Sequence, residues 1–406
     1  MVLDITRATS RRRTRTMRWA ALLLLLPLAW AEAQPPQRAL PRAELEFPEP
    51  FTTISSLREL RDGRVIVTDA REITVQLIDL NAKRATPIGR RGAGPREWGR
   101  PGSLLPMPAD TTLMVDFVNR RLLVIHPDGT PGRTEPEDER DPFWRGAITG
   151  VDDAGRVLLV MERRPERPLD GSVGVADVLR LDRRTQRVDT IGTLMRPKGE
   201  RSAASMMGNG MMQLVTNLPL AARDEAVLTR DGRAVLVRAA PYRVEIVAPS
   251  GARTAGPVVS TSGVAVTRAE QEAFLRRQIR PGAILIRTDP SAPASAGRAA
   301  RPRAPAISKA EFDAMMQPTM TWPRELPPFF EDAARAAPDG RVWVLRTRAV
   351  DDSVPVYDVF DRAGRVVERV ALPTRTRVVG FGAGVAYLAR TDDDDLVWLQ
   401  RVRLAR

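Results

Sequence analysis

Residue types that commonly perform chemistry are scarce in this chain. The 406 residues include no Cys and a single His, His126. Structural and catalytic zinc sites draw on several His and Cys side chains, so the composition excludes disulfides, thiolate metal sites, cysteine nucleophiles, Cys-linked lipid anchors and multi-histidine zinc sites. His126 follows the apolar run 122–125 and precedes Pro127-Asp128-Gly129. We expect it to be structural or solvated at the outer end of a strand, and a Ser-His-Asp triad could be built only through it.

Clustered carboxylates offer a second kind of chemistry. Asp392-Asp393-Asp394-Asp395 lie between two apolar runs, and carboxylate oxygens are ligands that Ca²⁺ prefers. Asp351-Asp352 occupy the same kind of loop earlier in the chain. The simpler interpretation of both is a solvated hairpin loop. No cofactor is therefore predicted, and a calcium ion held by carboxylates stays an open alternative.

Two further motifs could contact a ligand. Met206-Met207 and Met211-Met212 flank Gly208-Asn209-Gly210, and paired Met side chains make adaptable apolar surfaces. Packing against the rest of the molecule is the commoner role of such pairs. Gly92-Ala93-Gly94 is not followed by the Lys-Ser/Thr pair of a phosphate-binding loop, so it is interpreted as a turn.

The N-terminus has the pattern of an export signal. A basic segment up to Trp19 precedes the apolar run 20–30, and Ala31-Glu32-Ala33 fits a small-x-small cleavage site. We expect residues 1–33 to be a signal peptide and 34–406 to be one mature domain. The apolar run is too short to span a bilayer, so no anchor is expected after cleavage. Ser10-Arg11-Arg12 leaves the Tat route open beside Sec, and translation could begin at Met1 or Met17.

The charge balance argues against nucleic acid as a partner. The formal net charge is +13, and removal of residues 1–33 leaves 57 basic against 48 acidic residues, a net charge of +9. The Arg residues are interspersed with Asp and Glu instead of forming one basic stripe. We expect a monomer in the periplasm or outside the cell, with a small molecule or an envelope protein as its partner.

An internal repeat sets the fold. Each unit has a Gly-containing turn, a short β-branched run, a polar break, a second apolar run, another turn and a third run, and in five of the six units a polar turn and a fourth run follow. The second strand of a unit recurs at intervals of 48, 44, 77, 108 and 43 residues. The six second strands are Val65–Val67, Leu113–Val115, Val157–Leu159, Ala234–Val237, Val342–Val344 and Val385–Leu388. Four follow a Gly-Arg pair: Gly63-Arg64, Gly155-Arg156, Gly232-Arg233 and Gly340-Arg341. Short antiparallel strands in repeated units predict an all-β, six-bladed β-propeller.

The last unit lacks a fourth strand in sequence. It ends after its third apolar run, whereas Glu44–Phe47 near the N-terminus has no hairpin partner. We expect Glu44–Phe47 to pair with Leu396–Leu404, so that one N-terminal and three C-terminal strands complete the last blade. This pairing would close the ring and leave no long strand edge exposed.

One inter-unit junction resembles a known family. This junction begins with Ile88-Gly89-Arg90-Arg91-Gly92-Ala93-Gly94-Pro95. Pro101-Gly102 and the turn Asp116-Phe117-Val118-Asn119 follow. This segment of about 40 residues is similar to NHL repeats, in which a Gly-rich loop precedes Pro and an Asp-x-x-Asn turn joins strands. The resemblance implies an exported, bacterial-type propeller of the NHL-like kind. That group includes peptide-amidating lyases, antibiotic-inactivating lyases and noncatalytic binding modules, and its zinc lyases use several histidines.

Two insertions interrupt the repeat, at about residues 196–223 and 257–328. Thr267-Arg268-Ala269-Glu270 and Ser308-Lys309-Ala310-Glu311 are both capping-box starts, so the second insertion, between blades 4 and 5, is expected to be helical. The segment 289–305 between these starts is rich in Pro, Ala, Ser and Arg and offers little to bury. We expect its deletion to leave the blades folded.

The insertions predict a ligand-binding face. Each separates the fourth strand of one unit from the first of the next, so both should emerge on the same face as the loops after the second strands. The last residues of the second strands should form a rim there that is acidic in units one to three and basic in units four to six: Asp69, Asp116, Glu162, Arg238, Arg346 and Arg390. Such a rim would suit a dipolar ligand, and the opposite face, with only short turns, is expected to offer little. We interpret the chain as a noncatalytic binding module, with a carboxylate-dependent metal lyase or lactonase as the alternative.

Overall fold

The computed structural model describes residues 34–163, 174–197, 201–206, 212–216, 218–278 and 321–404. Pro35–Arg406 forms one compact unit. The signal peptide predicted at 1–33 lies outside the described residues. None of the helices within those ranges has the length and apolar character needed to cross a membrane.

The chain is a six-bladed β-propeller. Two short strands come first, β1 (Gln37–Ala39) and β2 (Leu45–Glu46). Blade 1 comprises β3 (Ser56–Glu59), β4 (Val65–Asp69), β5 (Thr74–Asp79) and β6 (Arg84–Pro87). A loop with β7 (Arg90–Arg91) and β8 (Glu97–Trp98) leads to blade 2, which comprises β9 (Pro101–Pro106), β10 (Thr112–Asp116), β11 (Arg121–Ile125) and β12 (Pro131–Pro136). Blade 3 comprises β13 (Ala147–Val151), β14 (Arg156–Glu162), β15 (Gly174–Asp182) and β16 (Arg187–Arg196).

The second half of the ring repeats this plan around the two insertions. The hairpin β17 (Arg201–Met206) and β18 (Met212–Thr216) precedes blade 4, which comprises β19 (Glu225–Leu228), β20 (Ala234–Ala239), β21 (Tyr242–Val247) and β22 (Arg253–Ala255). The helix α1 (Arg268–Gln278) precedes blade 5, which comprises β23 (Ala334–Ala336), β24 (Val342–Leu345), β25 (Val356–Phe360) and β26 (Val366–Ala371). Blade 6 comprises β27 (Thr376–Gly382), β28 (Val385–Thr391) and β29 (Val397–Arg403) together with β2. Two 3-10 helices lie at Pro108–Asp110 and Pro142–Trp144.

The predicted Gly-Arg turns have the conformation that requires Gly. Gly63, Gly155, Gly232 and Gly340 have φ between 80° and 86°, in the left-handed region that residues with a Cβ adopt at a cost. Each turn reverses the chain from the first strand of its blade to the second. The second strand of blade 1, which follows the first of these turns, is a fully buried run, as is the second strand of blade 2, because neighbouring blades cover both of their faces.

The predicted closure of the ring is confirmed. Strand β2 pairs antiparallel with β29, with Leu45 opposite Arg401 and Glu46 opposite Gln400. The Phe47 amide then donates to the Leu399 carbonyl at 2.9 Å. The described residues form six hydrophobic clusters, one at each contact between neighbouring blades, and the cluster between blades 6 and 1 contains Phe47. The core is therefore a closed ring of side chains.

A fifth strand on blade 5 was not foreseen from the sequence. Strand β1 pairs in parallel with β26, with Gln37 opposite Arg369 and Ala39 opposite Ala371. Arg38 forms an ion pair with Glu368 at 2.5 Å, and Leu40 is buried directly after the strand. The N-terminal segment thus covers the outer edge of blade 5 before it completes blade 6. The outer strands β26 and β29 of these two blades are therefore protected from pairing with another chain.

The helical insertion attaches to blade 5. The Thr267 hydroxyl accepts the Glu270 amide at 3.3 Å and caps α1, as the capping-box motif predicts. The buried Glu270 carboxylate accepts the Val350 amide at 2.6 Å, in the loop between β24 and β25. This contact places α1 on the face that carries the loops after the second strands. The second predicted helix, at 312–317, and the segment 289–305 lie outside the described residues.

Candidate functional site

The acidic half of the predicted rim holds the backbone in place. The buried Asp69 carboxylate accepts the amides of Thr52 and Thr53, both at 2.9 Å, in the segment that leads into the first strand of blade 1. In blade 2 the fully buried Asp116 accepts the amides of Gly99 at 3.0 Å and of Arg100 at 3.1 Å in the equivalent segment. Buried carboxylates are stabilised by such N–H donors. Both side chains therefore fasten the first strand of a blade to its second.

The third acidic position differs from the first two. Glu162 is about half exposed, and its carboxylate lies 3.9 Å from the guanidinium of Arg196 at the end of the fourth strand of the same blade. Asp116 also accepts the side-chain amide of Asn119 at 2.7 Å, which holds the predicted Asp-x-x-Asn turn.

The basic residues of the rim pair with carboxylates that lie on other strands or loops. In blade 4, Asp224 precedes the first strand and accepts the Ala239 amide at 3.0 Å, while Arg238 donates to Asp224 at 2.9 Å and to Glu245 at 2.8 Å. Because Asp224 provides the acceptor that Asp69 provides in blade 1, the second strand can end in Arg. The switch of sign around the rim thus follows from an exchange of hydrogen-bond partners.

The Arg residues of blades 5 and 6 also have acidic partners. Arg346 lies 3.4 Å from the fully buried Asp358, and Arg390 pairs with Glu46 at 3.0 Å while its guanidinium lies over the Trp398 ring. The contacts given above tie each of the six rim residues to partners outside the rim. Ligand binding by the rim stays a prediction.

The first strand of blade 5 is held by Glu225. Its buried carboxylate accepts the amides of Ala333 at 3.2 Å and Ala334 at 2.9 Å. Burial raises the pKa of Glu225, and these two amides oppose the rise.

The other sequence candidates form turns. The Asp392 carboxylate accepts the Leu396 amide at 2.9 Å and the Trp398 indole N–H at 2.6 Å, and Asp393 is paired with Arg375. His126 is exposed beside the turn after β11, where its amide donates to the Thr130 carbonyl at 3.0 Å. In the described part of the chain, no group of three or more His, Cys, Asp or Glu side chains could hold a metal ion.

The Gly-rich junction is a turn between blades, as predicted. Strands β7 and β8 pair within it, and the Glu97 carboxylate accepts the Gly94 amide at 2.8 Å. Arg121 of the next blade donates to the carbonyls of Gly94 at 2.9 Å and Glu97 at 2.8 Å.

A large cavity lies on the opposite face from the insertions. We call this the turn face, and it is formed by the turns between first and second strands, at 60–64, 107–111, 152–155, 229–233, 337–341 and 383–384. The cavity has a volume of about 1500 Å³. Its lining comes mainly from the ends of first strands and their turns in blades 1, 2, 3 and 6, with Arg230 from blade 4. Because first strands of successive blades contact one another, the cavity lies at the mouth of the central channel. The short turns of this face therefore surround a binding-sized space.

Arg58 is a buried cation of this cavity. Its Nη2 donates to Asp110 Oδ1 at 2.8 Å, and its Nη1 donates to the Asp110 carbonyl at 3.1 Å and to the Thr112 hydroxyl. The Arg58 side chain is 9% exposed, and its Nε is buried without a hydrogen-bond partner. Burial lowers the pKa of Arg58, as do the positive charges of Arg230 and Arg61, whereas Asp110 opposes the change.

The neighbouring Glu59 faces the other way. Successive side chains of a strand point to opposite faces, so Arg58 points toward blade 2 and Glu59 toward blade 6. The Glu59 carboxylate accepts the Ala383 amide at 2.7 Å and the hydroxyl of the buried Tyr387 at 2.9 Å. Burial, together with the Glu59 charge, raises the pKa of Tyr387. The inner strand of blade 1 is thus tied to both neighbouring blades by charged side chains.

The sequence motifs did not point to these cavity residues. The available signal in the sequence was the charged pair Arg58-Glu59 inside an inner strand. The backbone shows a second feature that the sequence does not: Ala109 and Asp110 have φ of 57° and 60°. Positive φ at Ala is uncommon and often marks a functional constraint.

No family model and no curated protein matches the sequence. Solved structures do match it. The calcium-binding protein regucalcin from Agrobacterium tumefaciens is 10% identical with a TM-score of 0.43, over 91% of this chain and 97% of that one. A Bacteroides fragilis protein that carries the name exported protein is 10% identical with a TM-score of 0.45, over 91% of this chain and 99% of that one. Virginiamycin B lyase from Staphylococcus aureus is 9% identical with a TM-score of 0.39, over 90% and 99%. At these scores the likenesses carry no argument about ligand, activity or location.

Proposed function

We propose that this protein is an exported, noncatalytic propeller that binds a small ligand in the cavity at the channel mouth. The observation that supports this function best is the cavity itself, whose volume of about 1500 Å³ can hold a ligand of ordinary metabolite size or larger. Its polar groups come from several blades, so a ligand would be contacted from several directions. Export rests on the signal peptide predicted at residues 1–33, and the protein would act as a monomer in the periplasm or outside the cell.

The hydrogen bonds of the cavity carboxylates favour binding over catalysis. Asp110 accepts from Arg58 and from the Arg61 amide, and Glu59 accepts from blade 6. Asp152 accepts from the Arg156 amide at 2.9 Å and from its guanidinium at 2.7 Å. A general acid or base must exchange a proton with the substrate, and these carboxylates are occupied in holding blades and turns.

The proposal places the ligand on the turn face, whereas the sequence predicted the insertion-bearing face. The reason is the difference in available side chains. The rim residues of the insertion-bearing face are mostly committed to internal contacts, whereas the cavity has charged groups outside any ion pair. Binding of an envelope protein at the insertion-bearing face stays a prediction.

A matched pair of variants tests the location. Ala383 is exposed in the blade 6 turn and lines the cavity, whereas Ala363 is exposed in a turn of blade 5 outside the lining. The mature protein is screened against a chemically diverse metabolite library by thermal shift, and Kd values of the hits are measured by calorimetry. We expect Ala383→Trp to abolish binding of the hits and Ala363→Trp to leave it unchanged. Equal binding by both variants would contradict the location.

Metal analysis and product analysis test the noncatalytic assignment. We expect hits to be recovered chemically unchanged after long incubation with the protein. One stoichiometric divalent ion, together with conversion of a lactone or another bound compound, would favour the lyase or lactonase alternative and overturn the proposal.

A further inference from the structure

Three Arg side chains line the part of the cavity around Asp110. Arg58 lines it from the inner strand of blade 1, Arg61 from the following turn, and Arg230 from the turn of blade 4. The Asp110 carboxylate forms its ion pair with Arg58, since Oδ1 accepts from that guanidinium at 2.8 Å while Oδ2 accepts the Arg61 amide at 3.0 Å.

Arg61 and Arg230 lack a counter-charge of their own. Both are exposed, and no ion pair or side-chain hydrogen bond joins either guanidinium to another described residue. Other charged pairs around the cavity are balanced, since Asp62 is paired with Arg64 at 2.6 Å and Asp152 with Arg156 at 2.7 Å. Arg61 and Arg230 are thus the lining cations outside any ion pair of the described residues, as Glu59 and Asp153 are among the lining carboxylates.

Arg58 adds positive charge to this part of the cavity, not a free donor. The residue is nine-tenths buried, its Nε is enclosed by protein atoms, and both Nη atoms donate to Asp110 or Thr112. Hydrogen bonds between a guanidinium and an anion are among the stronger ones in proteins, and the exposed Arg61 and Arg230 are the groups that a ligand can contact. Of the nearby carboxylates, Glu59 is bonded to blade 6 and Asp153 lies exposed on the blade 3 turn.

We propose that Arg58, Arg61 and Arg230 form an anion-binding subsite that takes the carboxylate, phosphate or sulfate group of a small ligand. This inference rests on the proposed function and specifies its ligand class. The anion would lie between blades 1 and 4 and be contacted by the exposed Arg61 and Arg230 side chains, while the buried Arg58 adds its positive charge to the attraction. The rest of the cavity would hold the remainder of the ligand.

The test uses inorganic phosphate and succinate as anionic probes, with glucose as a neutral probe and spermidine as a cationic one. Binding to the mature protein is measured by calorimetry at low ionic strength. Arg61→Ala and Arg230→Ala remove exposed side chains that hold no blade, so folding should be retained. Arg71→Ala is the matched control, because it makes the same charge change at an exposed position on the insertion-bearing face.

We expect each cavity variant to weaken the binding of phosphate and succinate about tenfold, the loss of one charge-assisted hydrogen bond. Arg71→Ala should leave it unchanged. Equal weakening by all three variants, or the absence of anion binding, would overturn the subsite. Binding of glucose or of neutral library compounds that is sensitive to Ala383→Trp but not to the Arg variants would overturn the anion assignment while leaving the proposed function in place. Failure of every compound to bind in the cavity would overturn both.

Discussion

The ring closure provides the most direct mutational test of the fold. Phe47 follows β2, is 1% exposed, and packs in the cluster between blades 6 and 1 with its ring centroid 6.1 Å from that of Phe51. Phe47→Ala keeps the backbone hydrogen bond to Leu399 but removes the buried ring. Truncation of a buried Phe to Ala costs about 3–5 kcal/mol, because apolar burial is lost and a cavity remains. That is a third or more of the ~5–15 kcal/mol that stabilises a typical domain.

Urea unfolding of the mature protein, followed by Trp fluorescence and circular dichroism, measures this loss. The matched control is Phe117→Ala, since Phe117 is 62% exposed in the blade 2 turn and its truncation should change the free energy of unfolding by less than about 0.5 kcal/mol. Equal effects of the two substitutions would refute the closure of the ring by the N-terminal segment. The closure would also be refuted if Phe47→Ala lowered the stability of only a minor, early phase of the unfolding transition.

Two further substitutions test local features of the blades. Ala109→Gly should raise the free energy of unfolding by about 1 kcal/mol, because Gly relieves the left-handed φ of 57°. Ala363→Gly, at a position where φ is not positive, should not raise it, and thermal unfolding of both variants checks this. Glu225→Gln should abolish a pH dependence of the free energy of unfolding. Because the folded pKa of Glu225 is raised, the stability that this group contributes is fully present below its unfolded pKa of about 4.5 and is lost as the pH rises through the folded pKa. Relative to the wild type, this variant should therefore gain stability as the pH rises through that window, and parallel stability curves for the two proteins would contradict the assignment.

The repeat made the propeller predictable. Four Gly-Arg turns, six β-branched second strands and one spare N-terminal strand specified the blade count and the closure, because hairpin turns and buried strands impose strong local requirements on residue type. Strand β1 escaped prediction because Gln37-Arg38-Ala39 has no apolar pattern. Its place depends on a parallel partner more than 300 residues away, which no local signal reveals.

The site was less predictable for a related reason. The ends of the second strands could be located from the sequence, but the backbone amides that their carboxylates accept lie in segments 16 or 17 residues earlier. Asp69 and Asp116 therefore looked like ligand groups although they hold their own blades together. Arg58 and Arg61 come from the inner strand and the following turn of blade 1 and Arg230 from a turn of blade 4, so only the folded ring brings them to one cavity.

The most direct test of the proposed function is a crystal structure of the mature protein with a bound anionic compound from the screen. We expect the ligand in the cavity of the turn face, with its anionic group within hydrogen-bond distance of Arg61 or Arg230. A ligand bound instead at the insertion-bearing face, among Asp69, Asp116, Glu162, Arg238, Arg346 and Arg390, would contradict it.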